Sequence, residues 1–510
     1  MKRLIKKIVD EIRRKDLTRD ELELIKTKIS SEFCEKIPSN EEILACLNEK
    51  DREKFVKILQ KKPYRTVSGV SIIAVMCKPE KCPHGSCVYC PTIEHIPKSY
   101  SKEEPAVMRG LAYGYDPYKQ VRRRIEQLES IGHPVSKIEL IIMGGTFTSR
   151  PIRYQENFVK SCFDAMNGFV SKNLLEAHKF NENAAHRCVG LTIETRPDYA
   201  KKKEINNMIN FGATRLEIGV QTLDDEIYKI VRRGHTVEDV VEATQLAKDS
   251  GLKVCYHIMP NLPGSDPEKD LKIFKMLFED ERFRPDMLKI YPTLVVEGSE
   301  LVDWYMDGKY KPYSDTQLIN LLVKMKAVVP EWVRIMRLQR DVPAKYIIAG
   351  CKFTNLREIV QKQMAKKGLK CRCVRCREIG HKKSAKGRIK LKKTEYEASG
   401  GKEIFIQYVK GDALLGLLRL RFPFEPFRNE LKNSGIVREL RVFGPSVPVG
   451  QKMSKAIQHK GLGKKLLEKV EEICVDQGFS KIAVNSGVGV REYYRKLGYD
   501  LEGMYMIKKV

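Results

Sequence analysis

Between residues 66 and 340, short apolar runs alternate with amphipathic segments, and this alternation constrains the fold more than any other feature of the chain. The runs cover 67–76, 138–143, 188–193, 215–220, 253–259 and 287–291, and the stretches 117–131, 204–211 and 237–250 between them carry apolar residues at helical spacing. Strands separated by helices pair in parallel through crossovers. About six such units predict a partial or complete βα barrel. Gly144-Gly145-Thr146-Phe147, Glu194-Thr195-Arg196, Gln221-Thr222, Pro260-Asn261 and Pro292-Thr293 follow successive runs. Taken singly each is ordinary turn chemistry. Repeated at the carboxyl ends of strands, where α/β folds build their sites, they predict one shared pocket. Gly144 and Gly145 would let the backbone approach a ligand there.

That same edge carries Cys77, Cys82, Cys87 and Cys90, four cysteines within fourteen residues on the loop leaving the first run. Clustered thiolates at short spacing suit an iron–sulfur cluster, which needs soft ligands. The tightest trio is Cys82, Cys87 and Cys90. Three cysteines on a four-iron cluster leave one iron free for a substrate or cofactor. The competing readings are a zinc site borrowing His84 and a disulfide. The first lacks the usual pair of CxxC motifs, and the second needs an oxidising compartment that nothing in the sequence signals.

At 510 residues the chain has room for two or three domains. No apolar stretch reaches the roughly 20 residues that span a bilayer, and the N-terminus lacks a signal-peptide core, so a cytoplasmic protein without membrane contact is expected. A formal charge of +28 favours polyanionic partners through counterion release. The excess is concentrated: residues 361–395 hold fourteen Lys or Arg against Glu378 and Glu395. General solubility would also explain a basic chain, but nucleic acid is the stronger reading. Residues 1–65, basic and with apolar residues at helical intervals, predict a helical N-terminal module suited to nucleic acid, and 66–340 form the barrel domain.

Residues 341–395 read as a basic linker in which Cys371, Cys373, Cys376 and His381 make a compact CxCxxCx4H set, expected to hold a structural zinc ion. An unpaired thiol set is the plainer alternative. Residues 396–510 predict a second α/β unit. Strands at 403–408 and 413–420 form a hairpin around Lys410-Gly411-Asp412, and another strand covers 436–443. The loop Gln458-His459-Lys460-Gly461-Leu462-Gly463-Lys464 opens a helix at 465–476, where free N–H groups and the helix dipole suit a pyrophosphate. A QxxGxG loop alone is a weak signal, and its setting between strands strengthens it.

Together these residues resemble the catalytic-subunit family of Elongator in its archaeal form. The resemblance runs from about residue 66 to the end, through AVMCKP (74–79), CVYCP (87–91), MGGTF (143–147), IETRPDY (193–199), RLEIGVQ (215–221), LKIYPTL (288–294), IVREL (436–440) and SGVGVREYY (486–494). It implies a partial βα barrel of the radical S-adenosylmethionine type followed by a mixed α/β acetyltransferase domain of the GNAT type. It also implies that Cys82, Cys87 and Cys90 hold a [4Fe-4S] cluster, with Cys77 nearby and not ligating. Acetyl-CoA contacts carry over to Lys137, to Glu439, Leu440, Arg441 and Val442, to Leu462, Gly463 and Lys464, and to Tyr494. Tyr494 would protonate a leaving thiolate and Glu439 would act as a base or orient water, although core packing and a structural ion pair are the plainer roles for them.

The implied activity is tRNA wobble-uridine acetyltransferase and carboxymethyluridine synthase chemistry. A 5′-deoxyadenosyl radical from S-adenosylmethionine would abstract hydrogen from the acetyl methyl group, and the resulting carbon would add to C5 of the uridine. The implied partners are the tRNA anticodon arm and either further copies of the chain or an Elongator-like assembly. The chain departs from the eukaryotic pattern in a shorter gap before its CxxC pair and in the CxCxxCx4H insert. A protein lysine acetyltransferase is the alternative function, although a strongly basic enzyme is a poor electrostatic match for a lysine-rich peptide. A noncatalytic RNA-binding scaffold would leave two cofactor pockets idle.

Overall fold

A computed structural model describes residues 1–14, 17–62, 66, 68–382, 385–444 and 461–510. The chain begins with four helices, α1 (Lys2–Arg14), α2 (Arg19–Glu32), α3 (Asn40–Cys46) and α4 (Glu49–Leu59). Leu4, Ile5, Ile8 and Ile12 fall on one face of α1 and are buried against Leu22, Ile43, Leu44, Phe55 and Leu59. Thr18 with Glu21 and Ser39 with Glu42 form capping boxes that start α2 and α3. The bundle docks through Arg52, which donates to the carbonyl of Glu129 at 2.6 Å.

The barrel strands are β1 (Ser71–Met76), β2 (Lys137–Met143), β3 (Arg187–Thr195), β4 (Arg215–Gln221), β5 (Lys253–Ile258) and β6 (Met287–Ile290), all expected from the apolar runs. The beginning expected at Val67 lies outside the described residues. After a two-residue strand, β7 (Val295–Val296), comes β8 (Arg334–Arg337), which adds a seventh member. The seven pair in parallel in the order β1-β2-β3-β4-β5-β6-β8, an open half barrel. Hydropathy hides β8 because its four residues include two arginines; Arg334 is buried and paired with Glu378 at 3.0 Å.

The segment expected to be a linker is not one. β9 (Ile347–Ala349) pairs antiparallel with β7, and the helix Leu356–Lys366 buries Leu356, Val360 and Met364 in the barrel core. β10 (Ile389–Ala398) crosses the expected boundary at 395 and 396, so the second sheet begins earlier. Its alternation is masked by lysines that keep the first half of the strand exposed.

β10 continues into β11 (Gly401–Lys410), β12 (Ala413–Phe422), β13 (Ser434–Val442), β14 (Lys481–Val484), β15 (Asp500–Glu502) and β16 (Tyr505–Lys509). Their order is β10-β11-β12-β13-β14-β16-β15, antiparallel except for β13 beside β14. That parallel pairing covers only Ser434 to Val437, so among the described residues Arg438 to Val442 have no strand on that side. The helix Leu462–Asp476 packs Leu466, Leu467 and Val470 on this sheet.

Ion pairs bind the two sheets into one body. Arg438 grips Asp286 at 2.6 and 2.7 Å and Glu403 at 2.7 Å, while Arg421 reaches Asp249 at 2.7 Å. Arg419, Arg421 and Arg438 are all at most 1% exposed, which makes removal of one partner costly and fixes the docking geometry. Among the described residues no helix is long and apolar enough to cross a membrane.

Candidate functional site

β1 ends at Met76, and the next residue, Cys77, turns behind the strand. Its sulfur donates to the Gly144 carbonyl at 3.3 Å, and burial pushes the thiol up to about 11. Cys82, Cys87 and Cys90, further along the loop, all open on a cavity of about 140 Å³ at the carboxyl mouth of the half barrel. Burial raises the thiols of Cys82 and Cys90, and the charge of Cys87 raises both further. Three adjoining thiolates therefore need a cation to compensate them, and soft iron meets that need. Arg233 donates to the Cys87 sulfur at 3.7 Å, and His84 lies 3.2 Å from it. Burial with Arg196 and Arg233 brings the His84 imidazole down to about 3, so it stays neutral. The donor set fits a cluster held by three cysteines with Cys77 excluded.

The glycine pair divides its work. Gly144 has φ +123°, and a Cβ there would lie 2.5 Å from the Cys77 sulfur, so its close approach is to the loop and not to a ligand. Gly145, with φ +86°, lines the cavity.

Alternation of side chains along the parallel strands brings ionisable groups into the barrel interior. The Glu194 carboxylate accepts from Tyr100 at 2.9 Å and Lys289 at 3.1 Å. Lys289 also contacts Glu217, whose carboxylate receives Nε2 of His257 at 2.9 Å and lies 3.2 Å from Nε of Arg215. Arg215 pairs in turn with Glu139. Lys289 with His257 and Arg215 holds Glu217 well below the usual carboxylate range, overcoming a burial effect in the other direction. Glu194, Glu217 and His257 line the cavity that holds the cysteines. The sequence places Glu194 at the shared pocket but gives Glu217, His257 and Lys289 no role. The available signal was a charged or imidazole residue at an inward position of each apolar strand.

The residues expected to hold acetyl-CoA lie elsewhere. Lys137 opens β2, at the end of the barrel opposite the cysteines, and burial lowers its ammonium. It pairs in register with Arg187, against which Gly489 packs. Glu439, Leu440, Arg441 and Val442 pair with β12 but extend past the β14 pairing, leaving backbone groups on that side for a ligand. Leu462, Gly463 and Lys464 start the helix after Gly461, whose φ of +69° suits glycine. A Cβ on Gly463 would lie 2.9 Å from the Tyr493 hydroxyl and 3.7 Å from Val442, so strand end and helix start meet here. Gln458, His459 and Lys460 lie outside the described residues.

Two catalytic expectations fare differently. Tyr494 is buried, with its ring edge-on to Tyr493 at 5.2 Å and Tyr499 at 5.8 Å, and burial keeps its phenol protonated. Glu439 accepts from Arg419 at 2.8 Å and is drawn below its ordinary range by Arg419 and Lys253 against the effect of burial. An ion-paired carboxylate with lowered basicity is a poor base, so its position supports the structural role. Cys371, Cys373 and Cys376 bring their sulfurs within 4.8 Å of one another, but His381 is outside this set and lies 3.9 Å from Glu378. The short helix Val374–Arg377 gathers the thiols, and the turn Ile379–His381 then leads the chain away.

Comparisons with known proteins agree with this architecture. The Radical SAM superfamily model matches residues 77–277 and its C-terminal domain model 285–366, while the ELP3 N-terminal domain matches 1–67 and the GNAT acetyltransferase family 390–499. The tRNA uridine(34) acetyltransferase of Methanocaldococcus jannaschii is 52% identical across 100% of this chain and 97% of its own. Elongator complex protein 3 of Homo sapiens is 44% identical across 96% of this chain and 93% of its own. The solved structure of Methanocaldococcus infernus Elp3, lacking residues 1–46, is 49% identical and gives a TM-score of 0.78, covering 87% of this chain and all of that one. The radical SAM domain implies a [4Fe-4S] cluster and S-adenosylmethionine, and the GNAT domain implies acetyl-CoA.

Proposed function

The chain belongs to the family that unites archaeal tRNA uridine(34) acetyltransferases with Elongator complex protein 3, and from that premise we propose that it carboxymethylates C5 of the wobble uridine of tRNA. The observation that carries this reading is that three cysteines and a buried polar network share one cavity at the mouth of a half barrel, rigidly joined to an acyl-CoA-type sheet. When bound, the cluster and S-adenosylmethionine supply a carbon radical able to remove hydrogen from an unactivated methyl group.

The protein's own residues do the rest. Cys82, Cys87 and Cys90 hold the cluster, with Gly145 lining the adjacent cavity. Lys137, Glu439 to Val442, Leu462 to Lys464 and Tyr494 hold acetyl-CoA where β13 meets the helix start. When water hydrolyses the thioester and leaves the carboxymethyl group on C5, Tyr494, kept protonated, supplies a proton to the departing thiolate. Cys371, Cys373 and Cys376 hold a structural zinc ion without His381. The bundle α1–α4 and the basic face at 361–395 take the anticodon arm, whose phosphates the net charge attracts. The units are 1–65, a barrel body extending to about 366, and a second-sheet body from 389 onward. A protein lysine acetyltransferase is not favoured.

The test is nucleoside mass spectrometry of unmodified tRNA incubated anaerobically with reconstituted protein, reductant, S-adenosylmethionine and acetyl-CoA. A carboxymethyl addition on uridine that disappears with Cys87→Ala is expected. Acetylation of a lysine peptide by cluster-loaded protein, with no change in tRNA, would overturn the reading.

A further inference from the structure

The floor of the cysteine-lined cavity holds a side-chain pair that cluster binding leaves without a task. His257 is at an inward position of β5, and its Nε2 lies 2.9 Å from the Glu217 carboxylate. Glu217 is ionised, so Nε2 carries the hydrogen and Nδ1 keeps its lone pair. Nδ1 makes no hydrogen bond among the described residues, and the ring lines the cavity next to Tyr291. Tautomer, orientation and access are thus those of a base waiting for a proton.

We propose that His257 is the general base that removes the C5 proton of the uridine, with Glu217 as its positioning residue. The inference rests on the function proposed above. When the acetyl-derived carbon bonds to C5, the C5=C6 double bond breaks and an unpaired electron is left on C6. Restoring that double bond requires C5 to lose its proton and C6 to lose one electron. The proton goes to Nδ1 of His257, and the electron returns to the oxidised cluster, regenerating the reduced state that began the cycle.

One carboxylate, Glu217, is shared by Lys289, Arg215 and His257, so the imidazole is held in orientation by a group that is itself fixed from two other sides. Charges of both signs surround this group: Glu139 with Arg215, Lys253 and Arg441, and Glu194 with Lys289 and Arg337, while Cys255 and Tyr291 lie beside the ring.

The experiment compares wild type, His257→Gln and His257→Ala in one reconstituted assay that reads 5′-deoxyadenosine and modified uridine together, with S-adenosylmethionine binding measured by calorimetry. In both variants we expect binding and 5′-deoxyadenosine formation to stay within a few-fold of wild type, while modified uridine falls by about 10²-fold or more. Deuterium at C5 of the uridine should slow product formation in His257→Ala, and added imidazole should partly restore it. For Glu217→Gln we expect a shifted pH profile of product formation, with Glu217→Asp recovering part of the loss. Proportional loss of binding, 5′-deoxyadenosine and product would assign His257 to cofactor binding or to folding and overturn the proposal. Unchanged product formation would do the same. Absence of modified uridine in wild type would instead overturn the proposed function.

Discussion

The Cys77 sulfur is committed to the Gly144 carbonyl behind β1, whereas the three cysteines after it face the cavity. A thiol pushed up to about 11 gives up its proton to a metal less readily than one exposed to it. Cys77→Ala is therefore expected to keep full iron content and the cluster's electron paramagnetic resonance signal, while Cys82→Ala, Cys87→Ala and Cys90→Ala each lose them. Iron analysis after anaerobic reconstitution checks this. Gly144→Ala is expected to behave differently from Cys77→Ala. Its Cβ would collide with the Cys77 sulfur in a backbone conformation that favours glycine, so a fall in thermal stability of about 1–3 kcal/mol is predicted, measurable by calorimetry. Glu439 illustrates the opposite case, in which a residue matching a family position turns out to be held by Arg419.

Elements differ in how plainly they could be read. Of the first six barrel strands, β3, β4 and β6 announced themselves most plainly because their runs are buried almost throughout, as parallel sheets require. β8 and β10 did not, because their charged residues find partners such as Glu378 and Glu331 that only the folded chain supplies. The cysteine loop was legible from spacing alone, yet the inward Glu217, Lys289 and His257 were not, since a lone charge in a strand becomes meaningful only when its neighbours across the barrel are known. His381 is carried by the turn Ile379–His381 toward Glu378, apart from the three sulfurs. His381→Ala is thus expected to leave bound zinc unchanged, whereas Cys373→Ser reduces it, as read by metal analysis. At the start of the helix Leu462–Asp476, Gly463→Val is expected to push Tyr493 and Val442 apart and weaken CoA binding by about tenfold, roughly 1.4 kcal/mol, in calorimetry.

Across the whole molecule, the seam between the sheets joins buried charge to apolar contacts such as Ile436 and Tyr505 against Gly251. Arg438 and Arg419 hold Asp286 far below its ordinary range against the effect of burial, and Glu403 is lowered in the same way by Arg438 and Lys248. Carboxylates with lowered folded values contribute stability that is complete above their unfolded values of about 3.9 and 4.3 and is lost as pH falls below them. Melting temperature should therefore decline steeply on acidification below about pH 4, and Asp286→Asn should flatten that decline while costing about 3–5 kcal/mol at neutral pH. The seam also fixes Lys137, proposed to contact acetyl-CoA, at the end of the barrel opposite the cysteine cavity, so hydrogen abstraction requires the acetyl carbon to reach that cavity. The most direct measurement follows deuterium from acetyl-CoA labelled on its methyl group, with tRNA and S-adenosylmethionine present. Deuterium is expected in the 5′-deoxyadenosine formed and in the modified uridine; unlabelled 5′-deoxyadenosine alongside labelled uridine would rule out hydrogen abstraction from the acetyl methyl group.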